Sequence, residues 1–200
     1  MNGFMVVAYY TEGTLYEREA QRLRASCHKF QVPVHIVAVP NLGSWNQNTS
    51  YKPEFLLNML DMFKRSNVIY VDADAEFRAF PELFWTLPER MKTDVAVYVF
   101  DRSEYKKSVG GTEVLSGTIF FKNTFGAREI LTRWKRRTQE NLNEWDQKSL
   151  EIVLKGQFDL LPGEYCKIFD RMAHVTKPVI VHHQASRKVR KNKGNLIETF

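Results

Sequence analysis

The segment that decides the fold is Val68-Ile69-Tyr70-Val71-Asp72-Ala73-Asp74-Ala75-Glu76-Phe77, an apolar run that ends in two aspartates. Short apolar runs rich in β-branched residues are typical of buried strands. In an extended chain the i, i+2 spacing of Asp72 and Asp74 points both carboxylates to the same side. We therefore predict that both lie at the carboxyl end of a buried strand, where open α/β sheets bind ligands.

Strand and helix patterns alternate on both sides of this segment. Strands are predicted at residues 4–10, 32–40, 67–71, 95–100, 118–121, 158–161 and 178–181, and helices at 14–30, 50–63, 127–141 and 145–155. Thr14 and Glu17 have the spacing of a capping box at the start of the first helix. The order β-α-β-α-β predicts an α/β domain whose mixed, mostly parallel sheet is flanked by helices. We expect a single domain over residues 1–185 and a basic tail over residues 186–200.

Composition excludes several classes of protein. The chain has 200 residues, of which 44% are hydrophobic and 26% charged, and this balance argues against disorder, collagen and coiled coil. Its apolar runs are strand length, so no transmembrane segment is expected. The N-terminus lacks a basic region and a small-residue cleavage site, which predicts a cytoplasmic protein, in the host cytoplasm if the source is viral. The net charge of +6 suits polyanions, anionic lipid or a phosphorylated substrate.

The two cysteines carry no motif. Cys27 and Cys166 have neither a CxxC partner nor zinc-site spacing. We expect both to be small buried apolar residues.

The paired aspartates suggest metal chemistry. Two neighbouring carboxylates repel unless a cation lies between them, and oxygen ligands suit Mg²⁺ or Mn²⁺. Two other interpretations stay open: the aspartates end the strand and cap a turn, or they form the Asp-x-Asp nucleophile motif of a haloacid-dehalogenase-type phosphatase. Glu76 stands where that phosphatase motif has threonine or valine, so the sequence departs from the motif at this position. A non-enzymatic basic α/β module that binds nucleic acid is a further alternative.

In this setting the Asp72-Ala73-Asp74 segment resembles the DxD motif of GT-A-fold glycosyltransferases. Its surroundings are similar to the retaining branch that includes glycogenin and bacterial lipopolysaccharide galactosyltransferases. The matching pieces extend in family order from residue 8 to residue 188. The resemblance implies a single GT-A-like, Rossmann-like domain that transfers a hexose from a nucleotide-diphosphate sugar, such as a UDP-hexose, with retention of configuration.

The resemblance also implies a donor site. Ala8-Tyr9-Tyr10-Thr11 is similar to the strand end that holds the nucleotide, and strand alternation predicts that only one of the two tyrosines faces it. Lys52 matches a basic residue near the donor, although a solvated lysine at a helix start would look the same. Ser116 and Gly117 resemble the stretch that lines the donor sugar, where a glycine permits close approach.

The catalytic and metal-binding residues come from the same resemblance. Asp146-Gln147 looks like the family's helix start at the reaction centre, although Asp146 could equally complement the helix dipole. His182 matches a strand-terminal metal ligand and Lys188 a phosphate contact six residues later; His183 would point the other way. The implied ligands of Mn²⁺, or Mg²⁺, are Asp72, Asp74 and His182. Gln184 and Ala185 stand where the family usually has a glycine.

The acceptor stays open at this point. The basic stretch Arg133-Trp134-Lys135-Arg136-Arg137 and the basic tail, with Arg187, would suit a nucleic acid such as a modified DNA base. They would equally suit an anionic lipid-linked glycan. A free glycan or a protein is the remaining alternative.

Overall fold

The computed structural model describes residues 3–104 and 110–185, and its centre is a six-stranded sheet. The strands are β1 (Gly3–Thr11), β2 (Val34–Val39), β3 (Ser66–Val71), β4 (Ala75–Phe77), β5 (Val95–Asp101), β6 (Thr112–Phe121), β7 (Asp159–Leu160), β8 (Lys167–Ile168) and β9 (Ile180–His182). The helices are α1 (Tyr16–Lys29), α2 (Trp45–Ser50), α3 (Lys52–Met62), α4 (Leu83–Arg90), α5 (Phe125–Glu140) and α6 (Asp146–Leu154). Two short 3-10 turns lie at Arg102–Glu104 and Gly163–Tyr165.

The order of strands in the central sheet is β2-β1-β3-β6-β5-β7. β1 is parallel to both of its neighbours, β2 and β3. β6 is antiparallel to β3 and β5, and β7 is parallel to β5. The predicted α/β class with a mixed sheet, parallel in its first half, is confirmed.

Helices cover both faces of this sheet because successive side chains of a buried strand point in opposite directions. On one face Val7 of β1 packs in a core with Phe55 of α3 and Trp134 of α5. On the other face Val6 belongs to a core that contains Leu23 of α1. Because both faces are covered, the strands read as nearly continuous hydrophobic runs.

A second, three-stranded sheet is formed by β4, β9 and β8 in that order. β4 follows β3 in the chain after a short turn, and β9 pairs with it antiparallel, so that His182 lies opposite Ala75. The sequence predicted β9 but neither β4 nor β8, whose three and two residues are too short for a periodicity signal. Through this small sheet, β9 near the C-terminal end of the described chain lies beside β4, which directly follows the end of β3.

The predicted capping box of α1 is wrong. Thr14 lies two residues before the first helical residue, so its hydroxyl accepts from the amide of Tyr16 (3.3 Å) and donates to the carbonyl of Thr11 (2.6 Å). The side chain of Glu17 makes no capping contact in the described structure, since no side-chain cap is formed at this helix. The helix itself lies within the predicted range of residues 14–30.

A capping box does form at α2, a helix that the sequence analysis did not predict. Ser44 accepts from the amide of Gln47, and the Gln47 side chain accepts from the Ser44 amide.

Both cysteines are buried free thiols, as predicted. Within residues 3–104 and 110–185 the structure contains no helix with the length and apolar character needed to cross a membrane. The tail 186–200, with Arg187 and Lys188, lies outside the described residues.

Candidate active site

The structure brings Asp72, Asp74 and His182 together at the carboxyl end of β3. One ligand atom of each lies within 4.8 Å of the others. The two aspartates follow β3 directly, and His182 is the last residue of β9. The pairing of β9 with β4 is what carries the histidine to the aspartates, because β4 continues the same stretch of chain.

The ring of His182 is aimed at the two carboxylates. The imidazole is buried, and its Nε2 lies 2.7 Å from Oγ1 of Thr118. Its Nδ1 has no hydrogen-bond partner within the described residues and lies 3.8 Å from Oδ1 of Asp74. A buried polar atom without a partner is costly, and a cation between the three side chains would satisfy it. The site therefore fits a divalent ion chemically as well as geometrically.

His183 has a different partner. Its Nε2 lies 2.8 Å from Oε2 of Glu76, which in turn contacts Arg78 at 3.1 Å. Adjacent strand residues point to opposite sides, as expected. Of the two histidines, it is His182 that joins the carboxylate pair.

The two carboxylates differ in surroundings. Burial raises the pKa of Asp74, but the neighbouring His182 and the amide of Ala185, which donates to Oδ2 at 2.7 Å, more than offset this and lower it. The side chain of Asp72 is 41% exposed. Burial and repulsion by the Asp74 carboxylate raise the pKa of Asp72, whereas attraction by the Lys52 amine lowers it. The net effect is a raised pKa. The surroundings therefore favour the charged form of Asp74 and disfavour that of Asp72.

Gly117 of β6 lies behind this group. A Cβ at this position would stand 3.2 Å from Oδ2 of Asp72 and 3.3 Å from Cε1 of His182. Such distances are shorter than ordinary van der Waals contact, so a glycine lets the carboxylate and the imidazole approach the strand. The expected contact of Gly117 with the donor sugar stays a prediction, because the groups that approach the glycine here are side chains of the protein itself.

Lys52 is a buried cation at the centre of the site. Its Nζ contacts Oδ2 of Asp146 at 2.7 Å and Oδ1 of Asp72 at 3.2 Å, and it donates to Ser116. Burial alone lowers the pKa of Lys52, but Asp146 and Asp72 raise it above its ordinary value. The amine therefore stays protonated, and the alternative of a solvated lysine is wrong.

Asp146 is buried beside Lys52. Besides the amine it accepts a hydrogen bond from Oγ of Ser116 at 2.9 Å, and its backbone carbonyl accepts from the indole of Trp134. The neighbouring Gln147 is half-buried, and its Oε1 accepts from the amide of Ser116 at 3.3 Å. The start of α6 is therefore tied to β6 and to Lys52 at once.

A cleft of about 480 Å³ opens above these groups. Most of the donor-binding, catalytic and metal-binding residues expected from the sequence line it, namely Tyr9, Tyr10, Thr11, Lys52, Asp72, Asp74, Ser116, Asp146 and Gln147. Ala8 is not in its lining, because its side chain is buried in the core against α1. Lys188 lies outside the described residues.

Both tyrosines contribute to the lining, although alternation predicted only one. The ring of Tyr9 packs in the core against Tyr51 and Phe55, while its hydroxyl donates to the carbonyl of Asn48 at 2.8 Å. Tyr10 is half-buried on the other side of the strand. Tyr10 thus has the more accessible ring.

Several lining residues were missed by the sequence analysis. Trp45, Asn48 and Thr49 come from α2, whose one signal in the sequence is the Ser44 to Gln47 capping box. Tyr70 donates to Oδ1 of Asp72 at 2.9 Å and could have been found, since residues two apart on a strand share a side.

Gln184 was also missed as a lining residue. It has a φ of 54°, in the left-handed region that favours glycine. This is one of the two positions, with Ala185, where the resemblance implied a glycine. The turn is therefore made here by a glutamine under backbone strain.

A sequence model of the nucleotide-diphospho-sugar transferase family matches residues 21–195. The chain belongs to this family. The matched range contains Asp72, Asp74 and His182. Membership of this family implies that the donor substrate is a nucleotide-sugar. This transferase is therefore a glycosyltransferase, and the GT-A-like resemblance is confirmed.

The transferase is similar in fold to two solved glycosyltransferases. One is described as involved in glycosylation of the major capsid of PBCV-1; the TM-score is 0.68 at 11% identity, over 96% of this chain and 98% of that one. The other is GlyE of Streptococcus pneumoniae TIGR4 in its apo form, with a TM-score of 0.61 at 17% identity over 92% of this chain. The transferase spans 55% of the GlyE chain. No curated protein matches it in sequence.

Proposed function

We propose that the protein transfers a hexose from a UDP-hexose to an acceptor hydroxyl and that it needs a divalent cation, Mn²⁺ or Mg²⁺. The observation that supports this most directly is the buried Nδ1 of His182, which faces Asp72 and Asp74 without a hydrogen-bond partner among the described residues. Asp72 and Asp74 line the cleft, and His182 is buried beside them. A DxD pair with a histidine ligand is the arrangement that the resemblance implied.

Asp72, Asp74 and His182 would hold the cation. When bound there, a divalent cation neutralises the charge that grows on the leaving diphosphate. Lys52 and Tyr70 fix the Asp72 carboxylate by contacts of 3.2 and 2.9 Å. These two groups orient the ligand before the donor arrives.

The nucleoside end of the donor would lie along Tyr10 and Thr11 of β1, opposite α2. We assign the reacting end to Asp146 and Gln147, which line the same cleft. Lys52 and Ser116 hold the Asp146 carboxylate in place. A fixed negative charge near the anomeric carbon would stabilise the positive charge that develops there. Retention of configuration at that carbon is part of this proposal.

The acceptor hydroxyl belongs, in this proposal, to a glycan, a lipid-linked glycan or a modified DNA base. Phosphate contact by Lys188 and the cytoplasmic location both stay predictions.

Thermal melting tests the donor and the metal together. We would measure the melting temperature with Mn²⁺ and UDP, GDP, CMP or ADP, with and without chelator. At a hundred times its dissociation constant, UDP should raise it by about 5–10 °C. Asp74→Asn should abolish the shift, and Asp61→Asn, a surface carboxylate that is 69% exposed, should keep it.

Other results would count against the proposal. The absence of a shift for all four nucleotides would contradict it. DNA binding that depends on salt but not on Mn²⁺ or UDP would favour the basic binding module. Phosphate release from a generic ester, lost in Asp72→Asn, would favour the phosphatase.

A further inference from the structure

A second cleft, of about 500 Å³, adjoins the donor cleft. Four residues line both, namely Arg102, Glu113, Trp145 and Gln147. A molecule in the second cleft would therefore share a wall with whatever fills the first. This is the spatial relation that two substrates of a transfer reaction need.

The shared wall has the chemistry of a sugar-binding surface. Trp145, directly before α6, is 45% exposed although it is a large apolar side chain. A sugar ring has an apolar face of C–H groups, which suits a flat indole, and a rim of hydroxyls that each donate and accept. Asn143 and Gln147 line the cleft with amides that can do both.

The charges of the second cleft disfavour a polyanion. Its described lining holds three carboxylates and two cations, and both cations are paired: Arg102 with Glu113 at 3.7 Å, and Lys148 with Glu151 at 2.9 Å. The third carboxylate, Glu144, is held by an arginine outside the cleft at 2.7 Å. A nucleic acid or an anionic lipid gains affinity from cations that are free to bind phosphate. Among the described residues the lining provides no such cation.

We propose that this second cleft binds a neutral saccharide, with one sugar ring stacked on Trp145, and that this saccharide is the acceptor. The proposal that a saccharide binds here is argued from the cleft alone. The proposal that this saccharide is the acceptor rests on the proposed function. Of the acceptor classes that the sequence left open, the proposal selects a glycan over DNA.

Binding of neutral glycosides tests the site without any donor. The probes are the methyl glycosides of glucose, galactose and mannose, and N-acetylglucosamine. Ligand-observed saturation-transfer NMR gives affinity, and the indole N–H signals of the ¹⁵N-labelled protein give location. At least one glycoside should shift the Trp145 signal saturably, and Trp145→Ala should weaken its binding about 10-fold.

The matched control is Trp85→Ala on α4, an indole that is 41% exposed and lines neither cleft. It should leave glycoside affinity within about 2-fold. A duplex DNA oligonucleotide should not displace the glycoside. If no glycoside shifts Trp145, or if the DNA displaces it, the saccharide site is overturned.

The outcomes separate this proposal from the function it extends. Asn143→Ala, at a residue that lines the second cleft and not the donor cleft, should leave the melting shift with UDP and Mn²⁺ intact and raise the KM of an acceptor glycoside in transfer assays. Glycoside binding at Trp145 without any nucleotide shift would keep the saccharide site and overturn its acceptor role. A nucleotide shift without glycoside binding would keep the donor site and overturn the second cleft.

Discussion

Oγ1 of Thr118 lies 2.7 Å from Nε2 of His182, and this contact decides which nitrogen of the ring faces the carboxylates. When Nε2 carries the proton and donates to Thr118, the lone pair of Nδ1 points toward Asp72 and Asp74. Both residues are buried, so water does not compete for the contact. Thr118 is thus a positioning residue for a histidine that lies on another sheet.

Thr118→Val should weaken Mn²⁺ binding about 10- to 100-fold, because the ring loses the partner that fixes its tautomer and orientation. Thr118→Ser keeps the hydroxyl and should keep the affinity. Calorimetric titration with Mn²⁺ gives the constants, and melting curves verify the fold. Thr132→Val, on an exposed part of α5, is the matched control. Equal affinity in Thr118→Val and the unmodified protein would refute the positioning role.

Lys52→Met should destabilise the protein by about 3–5 kcal/mol, because it leaves Asp146 buried without its cation. The double variant Lys52→Met/Asp146→Leu should recover part of that loss, since the Asp146 carboxylate that lost its cation is no longer present. Urea unfolding measures both. The control is Lys135→Met, which breaks an exposed pair with Glu54 at 3.2 Å and should cost less than about 1 kcal/mol. A loss in Lys52→Met no larger than in the control would show that the buried pair contributes little.

Gly117→Ala should weaken Mn²⁺ binding at least about 10-fold while the chain still folds. The new methyl group would press on the Asp72 carboxylate and the His182 ring, at 3.2 and 3.3 Å. Metal titration and melting together separate the two effects. Gly110→Ala adds a methyl group in open space and should change neither. Unchanged metal affinity in Gly117→Ala would mean that the close approach has no function.

Asp159→Asn should make the free energy of unfolding less dependent on pH in the acidic range. Burial raises the pKa of Asp159, but hydrogen bonds from Thr93 (2.6 and 2.8 Å) and the amide of Lys92 (3.2 Å) outweigh it and lower the pKa. The pKa of Asp159 is thus lower in the folded protein than in the unfolded protein, where it is about 4. The ionised carboxylate stabilises the fold fully above the unfolded-state pKa, and this stabilisation is lost as the pH falls through the folded-state pKa.

The variant should therefore be less stable by about 1–2 kcal/mol at pH 7, and the difference should shrink below about pH 4. Urea unfolding between pH 3 and pH 7 measures this. Asp61→Asn, on the surface, should run parallel to the unmodified protein. A difference between Asp159→Asn and the unmodified protein that does not change with pH would contradict the assigned cause.

The sequence predicts what depends on local periodicity. The run before Asp72 and the alternation that separates His182 from His183 are properties of a few neighbouring residues, and both held in the structure. The pairing of Lys52 with Asp146 is not local, because it depends on how the fold places the first residues of α3 and α6 beside Ser116 of β6. α2 was missed because Trp45-Asn46-Gln47-Asn48-Thr49-Ser50 has no apolar period, so its capping residues were the one signal present.

The place of β9 in the chain sets the order in which the site can be built during synthesis. Every strand of the six-stranded sheet and each of the helices α1 to α6 is encoded before His182. A nascent chain that has just completed α6 and β7 already carries both aspartates, yet it has no imidazole to complete their ligand set. Because domains form as the ribosome proceeds, binding of the proposed cation by all three side chains would be a late event in biogenesis. A prematurely terminated chain that ends before β9 would keep the main sheet and could not hold the cation through all three side chains.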